Sequence, residues 1–305
     1  TYYVEFDTYG RAMLDLLADA QQRGVRVHLL IDGFGQKLGG VLMSPAHKAA
    51  LAARLADLER AGAQIVFYRP KQPFSRWLGG GHHVKIQVSD GGRAIFGSSN
   101  ITRQSFEGWN EYSVLVGGPI ARTLLQSYED LGGTVDAADL EQLGTEQALP
   151  PEGIQFEYWM CDPNQHQGPS GPLGWPGPNE VTDRLVEMIN QAQRSISITS
   201  FYFKPVKVLV DALVAAAARG ARVEVHHSHL DALPATELAW IAAAAHYRRL
   251  LRAGVRIFEN RRGEHSKIML VDETWVAFGS YNFEHAAHDR LAEAIDRKST
   301  RLNSS

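Results

Sequence analysis

The sequence predicts an α/β fold made of two duplicated domains with mixed, largely parallel sheets. Short apolar runs typical of strands alternate along the chain with amphipathic segments typical of helices. The 305 residues, 44% hydrophobic and 21% charged, are enough for two cores of ordinary size. Segments of the first half also recur, in the same order, in the second half. Together these observations indicate the duplication of one α/β domain.

The first half alternates predicted strands and helices. The segment Arg11–Gln22 carries apolar side chains at helical spacing and ends at Gly24, a residue suited to a helix C-cap. Further helices are predicted at about Pro45–Ala61 and at Ile120–Leu131. Strands are predicted at Tyr2–Phe6, Val25–Ile31, Gln64–Tyr68, Ala94–Phe96 and Tyr112–Val116.

The second half repeats this order. Helices are predicted at Glu180–Ala192, Val208–Ala218 and Ala239–Leu251, and a strand at Ser195–Tyr202. The segment Arg219–Val223 repeats Arg23–Val27 at an offset of 196 residues. The offset later falls to 182, so the first half holds extra residues, mainly Lys71–Gly80.

The predicted domains are residues 1–142 and 180–305, joined by a connector at 143–179. Pro and Gly are frequent between Cys161 and Glu180, as is typical of an irregular segment. The chain opens at Thr1 without Met, inside a predicted strand, and residues 296–305 are polar and aperiodic. We therefore expect a truncated N terminus, and either truncation or a foreign tail at the C terminus.

Bulk composition excludes several classes of protein. Cys161 is the one cysteine, which rules out an internal disulfide and argues against a cysteine-based zinc site. No apolar run reaches about 18 residues, and no signal-peptide pattern is present. A net charge of −3 and a pI near 6.4 argue against a dedicated nucleic-acid binder.

One motif occurs twice, at an offset of 182 residues. The first copy holds His83, Lys85, Asp90, Gly97, Ser98, Asn100 and Glu111. The second holds His265, Lys267, Asp272, Gly279, Ser280, Asn282 and Glu293. The period of two along a strand puts each histidine on the same face as its lysine. Two histidines and two lysines can supply a nucleophile, a proton donor and cations for a phosphodiester.

The pattern H-x-K-x4-D-x6-G-S-x-N resembles the signature of the phospholipase D superfamily, and the layout is most similar to bacterial cardiolipin synthases. The features shared with the latter include Asp32, Gly118-Pro119 and the Tyr202–Pro205 segment. The resemblance implies two domains packed about a pseudo-two-fold axis, with both half-sites supplied by one chain. It also implies a phosphatidyltransferase that works through a phosphohistidine and requires no metal or cofactor.

The resemblance also implies roles for the motif residues. His83 is the nucleophile and His265 the acid, although the assignment could be reversed. Lys85 and Lys267 hold phosphate oxygens, and Glu111 and Glu293 orient the histidines. The substrate-binding donors are Ser98, Asn100, Ser280 and Asn282. Asp90 and Asp272 complete the catalytic motif and are expected to hold the motif strands to neighbouring loops.

The expected partners are phospholipids such as phosphatidylglycerol. We expect the protein to bind them as a peripheral protein of the cytoplasmic membrane, and we expect this fragment itself to be soluble. A phospholipase D-type hydrolase or a nuclease would use the same residues, so the sequence leaves the acceptor open. The acidic pI disfavours the nuclease and any nucleic-acid partner. A non-catalytic binding module is disfavoured because both histidines and both lysines are present.

For three other features, a purely structural role competes with a functional one. His82 faces away from His83, which predicts a packed or edge position. The run His226–His229 has no carboxylate or cysteine at ligand spacing, so no metal site is expected there. The insertion Lys71–Gly80, with Phe74 and Trp77, suits either a lipid headgroup boundary or an ordinary loop that packs its aromatic side chains inward.

Overall fold

The computed structural model describes residues 1–71, 73–77, 79–145, 156–164, 178–233 and 237–299. The helices are α1 (Thr8–Gln22), α2 (Gly33–Leu42), α3 (Pro45–Arg60), α4 (Pro73–Trp77), α5 (Pro119–Asp130), α6 (Ala137–Thr145), α7 (Glu180–Gln191), α8 (Lys207–Ala218), α9 (Glu237–Arg252) and α10 (His285–Asp289). The strands are β1 (His28–Asp32), β2 (Gln64–Tyr68), β3 (Gly81–His82), β4 (Ile86–Val88), β5 (Arg93–Gly97), β6 (Ser113–Gly117), β7 (Phe156–Cys161), β8 (Ser195–Ser200), β9 (Arg222–Ser228), β10 (Arg256–Asn260), β11 (Ile268–Val271), β12 (Trp275–Gly279) and β13 (Leu291–Ser299).

The predicted α/β class with mixed sheets is confirmed. The largest sheet has the order β10-β9-β8-β11-β12-β13-β3. Strand β7 also pairs with β13, outside this order. In the first half, β4-β5-β6 and β1-β2 form two smaller sheets. Among the named strands of the described residues, β1–β2, β8–β9–β10 and β3–β13 pair parallel. The motif strands β4–β5 and β11–β12 pair antiparallel, since a short hairpin connects each pair.

A core cluster joins the two halves. Val84 and Phe96 of the first half pack with Phe278 and Ala294 of the second. Phe96 and Phe278 occupy equivalent positions in the two motif copies, and their ring centroids lie 5.9 Å apart. Contact between equivalent residues locates the pseudo-two-fold axis at this pair. The domain limits remain a prediction, because β3 and β13 pair across the two halves.

Several elements differ from those predicted. The segment Tyr2–Phe6 forms only one bridge, from Val4 to Ile101, rather than a strand. Helices α2 and α6 and strand β7 were not predicted. Strand β13 continues through the polar tail as far as Ser299, because backbone hydrogen bonds to β12 and β7 hold it on both edges. The remainder of the predicted connector, at 146–155 and 165–177, and the last six residues lie outside the described residues.

The helices of the described ranges include none that combines the length and the apolar character needed to cross a bilayer.

Candidate active site

The backbone of each motif histidine is hydrogen-bonded to a segment of the opposite half. His82 pairs with Ala292 of β13, and the His83 backbone amide donates to the Ala292 carbonyl at 2.7 Å. The second copy mirrors this pairing, because the His265 amide donates to the Asn110 carbonyl at 2.8 Å. After Lys85 the chain enters β4, in its own half. Both catalytic candidates are therefore held at the junction between the halves.

The two halves exchange their glutamates. Nδ1 of His83 lies 3.0 Å from Oε1 of Glu293 and 2.9 Å from the Ser280 carbonyl oxygen. Nδ1 of His265 lies 2.8 Å from Oε1 of Glu111. The two imidazole side chains are each only 6% exposed. Because the carboxylates face Nδ1, this arrangement favours the tautomer with Nε2 unprotonated on each ring.

Four basic groups share the buried site. Lys85 and Lys267 are 5% and 2% exposed, and each ammonium donates to the carbonyl of the histidine in its own motif. Burial and the nearby Lys267 lower the pKa of Lys85 to about 7, and burial lowers that of Lys267 to about 8. Burial, both lysines and His265 lower the pKa of His83 well below its ordinary value. Such mutual repulsion shows that the site suits an anion.

Two aromatic residues that the motif does not contain flank the histidines. The Tyr2 ring meets His83 edge-on at 4.7 Å and lies 5.4 Å from the Lys85 ammonium. Phe201 repeats both contacts in the second half, at 4.8 Å from His265 and 5.9 Å from the Lys267 ammonium. These rings line the site with apolar surface beside the two ammonium groups.

The two half-sites are not identical. The Trp109 ring stacks on His265 at 4.7 Å, whereas the equivalent position beside the first motif is Leu291. Burial alone would raise the pKa of Glu111, but His265 and Lys267 outweigh it and lower the pKa to about 2. Burial raises the pKa of Glu293 well above its ordinary value. His265 thus faces an ionised carboxylate, and the His83–Glu293 pair is favoured in its uncharged form.

The predicted substrate donors divide into two kinds. Ser98 donates to Oε2 of Glu111 at 2.5 Å and accepts from the Tyr112 amide, so its hydroxyl is engaged by protein. Ser280 is similarly engaged by the backbone of Ala294. Asn100 and Asn282 are each 2% exposed, and their side-chain oxygens have no donor among the described residues.

The aspartates of the motif lie away from the four basic groups. Asp272, at the end of β11, accepts from the backbone amides of Gln193, Arg194 and Ser195 at 2.7–2.9 Å. It therefore fastens the loop before β8 to the motif hairpin. Asp90 lies exposed in the turn between β4 and β5.

The remaining histidines are packed or dispersed. His82 is 1% exposed, meets Tyr68 edge-on and has no partner for either ring nitrogen within the described part of the chain. In the histidine run at the end of β9, His226 stacks on Phe258, whereas Nε2 of His227 lies 2.5 Å from the Tyr247 hydroxyl. These contacts direct the rings to different neighbours. No three metal-ligating side chains converge among the residues that the structure describes.

A family model described as "Cardiolipin synthase, PLD-like domain" matches residues 1–131 and 185–298. Cardiolipin synthase B of Shigella flexneri is 27% identical over 296 residues, which cover 91% of this chain and 64% of that protein. Cardiolipin synthase of Geobacillus kaustophilus is 29% identical over 302 residues, covering 93% and 54%. The chain thus spans less than two thirds of the length of these relatives. The crystal structure of phosphatidylserine synthase from Haemophilus influenzae Rd KW20 shares the fold, with a TM-score of 0.68, 17% identity and coverage of 97% and 76%.

Proposed function

Because this chain belongs to the cardiolipin synthase family of phospholipase D-like proteins, we propose that it is a phosphatidyltransferase that forms a phosphohistidine intermediate. The observation that carries the proposal is the pair of buried imidazoles, each beside its own lysine and each facing the other half's glutamate. Such a site can bind one phosphodiester anion and act on it from two sides.

The first step transfers the phosphatidyl group to the protein. Nε2 of His83 attacks phosphorus, and the bond between phosphorus and the headgroup oxygen breaks. His265 gives the proton on its Nε2 to the departing alkoxide, which leaves as an alcohol. Lys85 and Lys267 hold the phosphate oxygens, whose charge grows as the new bond forms.

The second step reverses the first with a different alcohol. The hydroxyl of a second phospholipid gives its proton to Nε2 of His265 as its oxygen attacks phosphorus. The bond from phosphorus to His83 breaks, and the free imidazole is restored. With phosphatidylglycerol as both donor and acceptor, the products are cardiolipin and glycerol.

The unequal carboxylates support His83 as the nucleophile and His265 as the acid. A nucleophile must be neutral, and His83 sits beside a glutamate whose own pKa is raised. An acid must be protonated, and the ionised Glu111 and the stacked Trp109 ring both favour a cationic His265. Burial and Lys267 lower the pKa of His265 to about 4. A bound phosphodiester anion would counter that repulsion, so we expect His265 to take up its proton as substrate binds.

Secondary roles follow from the same contacts. The side-chain oxygens of Asn100 and Asn282 can only accept hydrogen bonds, so in this proposal their Nδ2 amides are the groups that donate to the substrate phosphate. Ser98 serves the site through Glu111, whereas the Ser280 hydroxyl bonds the backbone of Ala294, the residue after Glu293. Asp272 acts by fixing a loop. No metal or cofactor has a part in these steps, because the lysines supply the positive charge.

Hydrolysis is the rival outcome, because water in place of the second hydroxyl gives phosphatidic acid from the same intermediate. Cleavage of nucleic acid would also use the same four basic side chains. We expect phospholipids to be reached at the periphery of the cytoplasmic membrane, with both half-sites in one chain.

Product analysis separates these outcomes. The purified chain is incubated with phosphatidylglycerol and, separately, with DNA, and His83→Ala serves as the inactive control. Cardiolipin with an equal amount of glycerol supports the transferase. Phosphatidic acid without cardiolipin would replace the transferase with a hydrolase, and cut DNA with intact lipid would overturn both.

A further inference from the structure

An exposed apolar stripe runs along α2. Phe34, Leu38 and Val41 are 41%, 49% and 72% exposed, and their spacing of four and three residues puts them on one side of the helix. A surface helix normally turns such a stripe toward the core. The opposite side of α2 already packs inward, where Gly35 and Gly39 lie against the rings of Tyr2 and Tyr3. The exposed stripe is therefore a second apolar side.

The segment that follows β2 extends this surface. The Phe34 ring lies over Gly79, and a Cβ atom at Gly79 would come within 2.8 Å of that ring. Gly79 also has a φ of 78°, a conformation that glycine adopts at little cost. Both features bring the end of α4 against the start of α2. Trp77, the last residue of α4, is 79% exposed beside this contact.

The charged side chains of the two segments that carry α2 and α4 are all positive. Residues 33–56 and 69–81 contain Lys37, Lys48, Arg54, Arg69, Lys71 and Arg76, and neither contains Asp or Glu. Arg54 pairs with Asp15 of α1. The other five are exposed. The whole chain carries a net charge of −3, so this is a local concentration of positive charge on an acidic protein.

The same surface adjoins the active site. Asp32 accepts from the Gly35 amide at 2.5 Å, which caps α2, and from the His82 amide at 2.8 Å, which precedes His83. Beside Val41, a groove of about 490 Å³ between α2, α3 and β2 continues the apolar surface toward Phe67. Through Asp32, the helix that carries these apolar and basic side chains is thus joined to the segment that carries His83.

We propose that the α2 face, made of Phe34, Leu38, Val41 and Trp77 with Lys37 and Lys71, docks on the surface of an anionic phospholipid bilayer. The apolar side chains enter the boundary between headgroups and acyl chains, and the lysines contact lipid phosphates. A nucleic acid would match the positive charge, but its phosphate backbone offers no apolar region for the aliphatic side chains to enter. The docking gives the proposed transferase access to substrates that stay in the bilayer, and so it rests on the proposed function.

Vesicle co-sedimentation tests the docking without any turnover. The chain is expected to bind vesicles of phosphatidylcholine and phosphatidylglycerol in equal amounts, and to bind pure phosphatidylcholine at least about tenfold more weakly. Lys37→Gln and Lys71→Gln should each weaken binding to the anionic vesicles by about fivefold, since a basic residue at such a surface contributes on the order of 1 kcal/mol. Leu38→Ser with Val41→Ser should weaken it further.

The matched controls are Leu115→Ser on β6 and Arg93→Gln on β5, which remove an exposed leucine and an exposed arginine from a different sheet. Both should bind vesicles as the unchanged chain does. Equal binding by all variants, or no binding of the chain to anionic vesicles, would overturn the proposal. So would binding that requires DNA or another copy of the chain.

A second readout separates failure of the docking from failure of the proposed function. The α2-face variants should turn over monomeric short-chain phosphatidylglycerol as the unchanged chain does, and long-chain lipid in vesicles about tenfold more slowly. If no protein turns over either lipid, the proposed function fails while vesicle binding still tests the docking. If the variants turn over vesicles at the unchanged rate, the docking is wrong and the transferase stands.

Discussion

Glu111, from the first half, lies 2.8 Å from Nδ1 of His265 in the second half. The reciprocal contact joins Glu293 to His83 at 3.0 Å. Neither half therefore holds a complete histidine–carboxylate pair of its own. Alignment of the two motif copies matches Glu111 with Glu293 but does not reveal which histidine each one serves. The exchange ties the chemistry of each half to correct packing of the other.

Removal of the Glu111 charge should impair His265 as the general acid. Glu111→Gln keeps the shape but loses the carboxylate that favours a protonated His265, so kcat should fall by about 100-fold. The alkaline limb of the pH profile, where His265 loses its proton, should also move to lower pH when activity on phosphatidylglycerol is measured from pH 5 to 9. Glu107→Gln is the matched control, since Glu107 is exposed and pairs with Arg103. Equal losses in the two variants would contradict the assignment.

The lysines should make substrate binding sensitive to alkaline pH. Their pKa values of about 7 and 8 mean that both lose charge as pH rises through this range. We expect kcat/KM, which reports the free protein, to fall across the same range. A profile that stays flat to pH 9 in steady-state assays would show that the lysines remain charged in the free site.

The same lowered pKa predicts the opposite trend for stability. Lys85 is held well below its ordinary value of 10.5, so the unfolded chain binds this proton more readily than the folded one. Its stabilising contribution is full above about pH 10.5 and is lost as pH falls toward 7. Lys85→Met should therefore raise the free energy of unfolding at pH 7 by on the order of 1–3 kcal/mol while abolishing turnover. Urea unfolding at pH 7 and pH 10 measures the difference, which should shrink at the higher pH.

Adjacent histidines should respond differently to the same substitution. His83→Ala and His265→Ala should each reduce kcat by about 10⁴-fold, since each removes a reacting group. His82→Ala should keep activity within about threefold but lower stability by about 1–3 kcal/mol, because it leaves a cavity beside Tyr68. Comparable loss of activity in all three variants would show that the assignment of opposite faces is wrong.

The motif aspartates should affect stability rather than chemistry. Asp272→Ala removes the acceptor of three backbone amides and should cost about 1–2 kcal/mol at pH 7. Burial tends to raise the pKa of Asp272, but these amides lower it, so its contribution is present above about pH 4 and is lost as pH falls further. Asp90→Ala, in an exposed turn, should change stability by less than about 0.5 kcal/mol in thermal unfolding.

The repeated motif allowed much of the fold and site to be predicted. Helix α3 and strand β2 were predicted within one residue, because apolar periodicity and turn residues determine them locally. The motif histidines and lysines were found because the two copies share one offset. Helix α2 was missed, since its four glycines disfavour a helix and its apolar stripe does not face a core.

The aromatic residues of the site could not be found in that way. Tyr2 and Phe201 have equivalent contacts but differ in type, and they lie at an offset of 199 rather than 182. Trp109 has Leu291 as its counterpart, so a search for matched residues passes over it. These side chains are defined by which surfaces the folded halves bring together, and a linear pattern does not contain that information.

Binding of orthovanadate tests the central claim most directly, because vanadate can adopt the geometry of a phosphoryl group under attack. A crystal structure of the complex should show a single vanadium bonded to Nε2 of His83. The His265 ring and the Lys85 and Lys267 ammonium groups should lie within hydrogen-bond distance of its oxygens. Vanadate bound to one half while the other imidazole contacts only protein, or two anions at separate sites, would contradict a shared phosphoryl site.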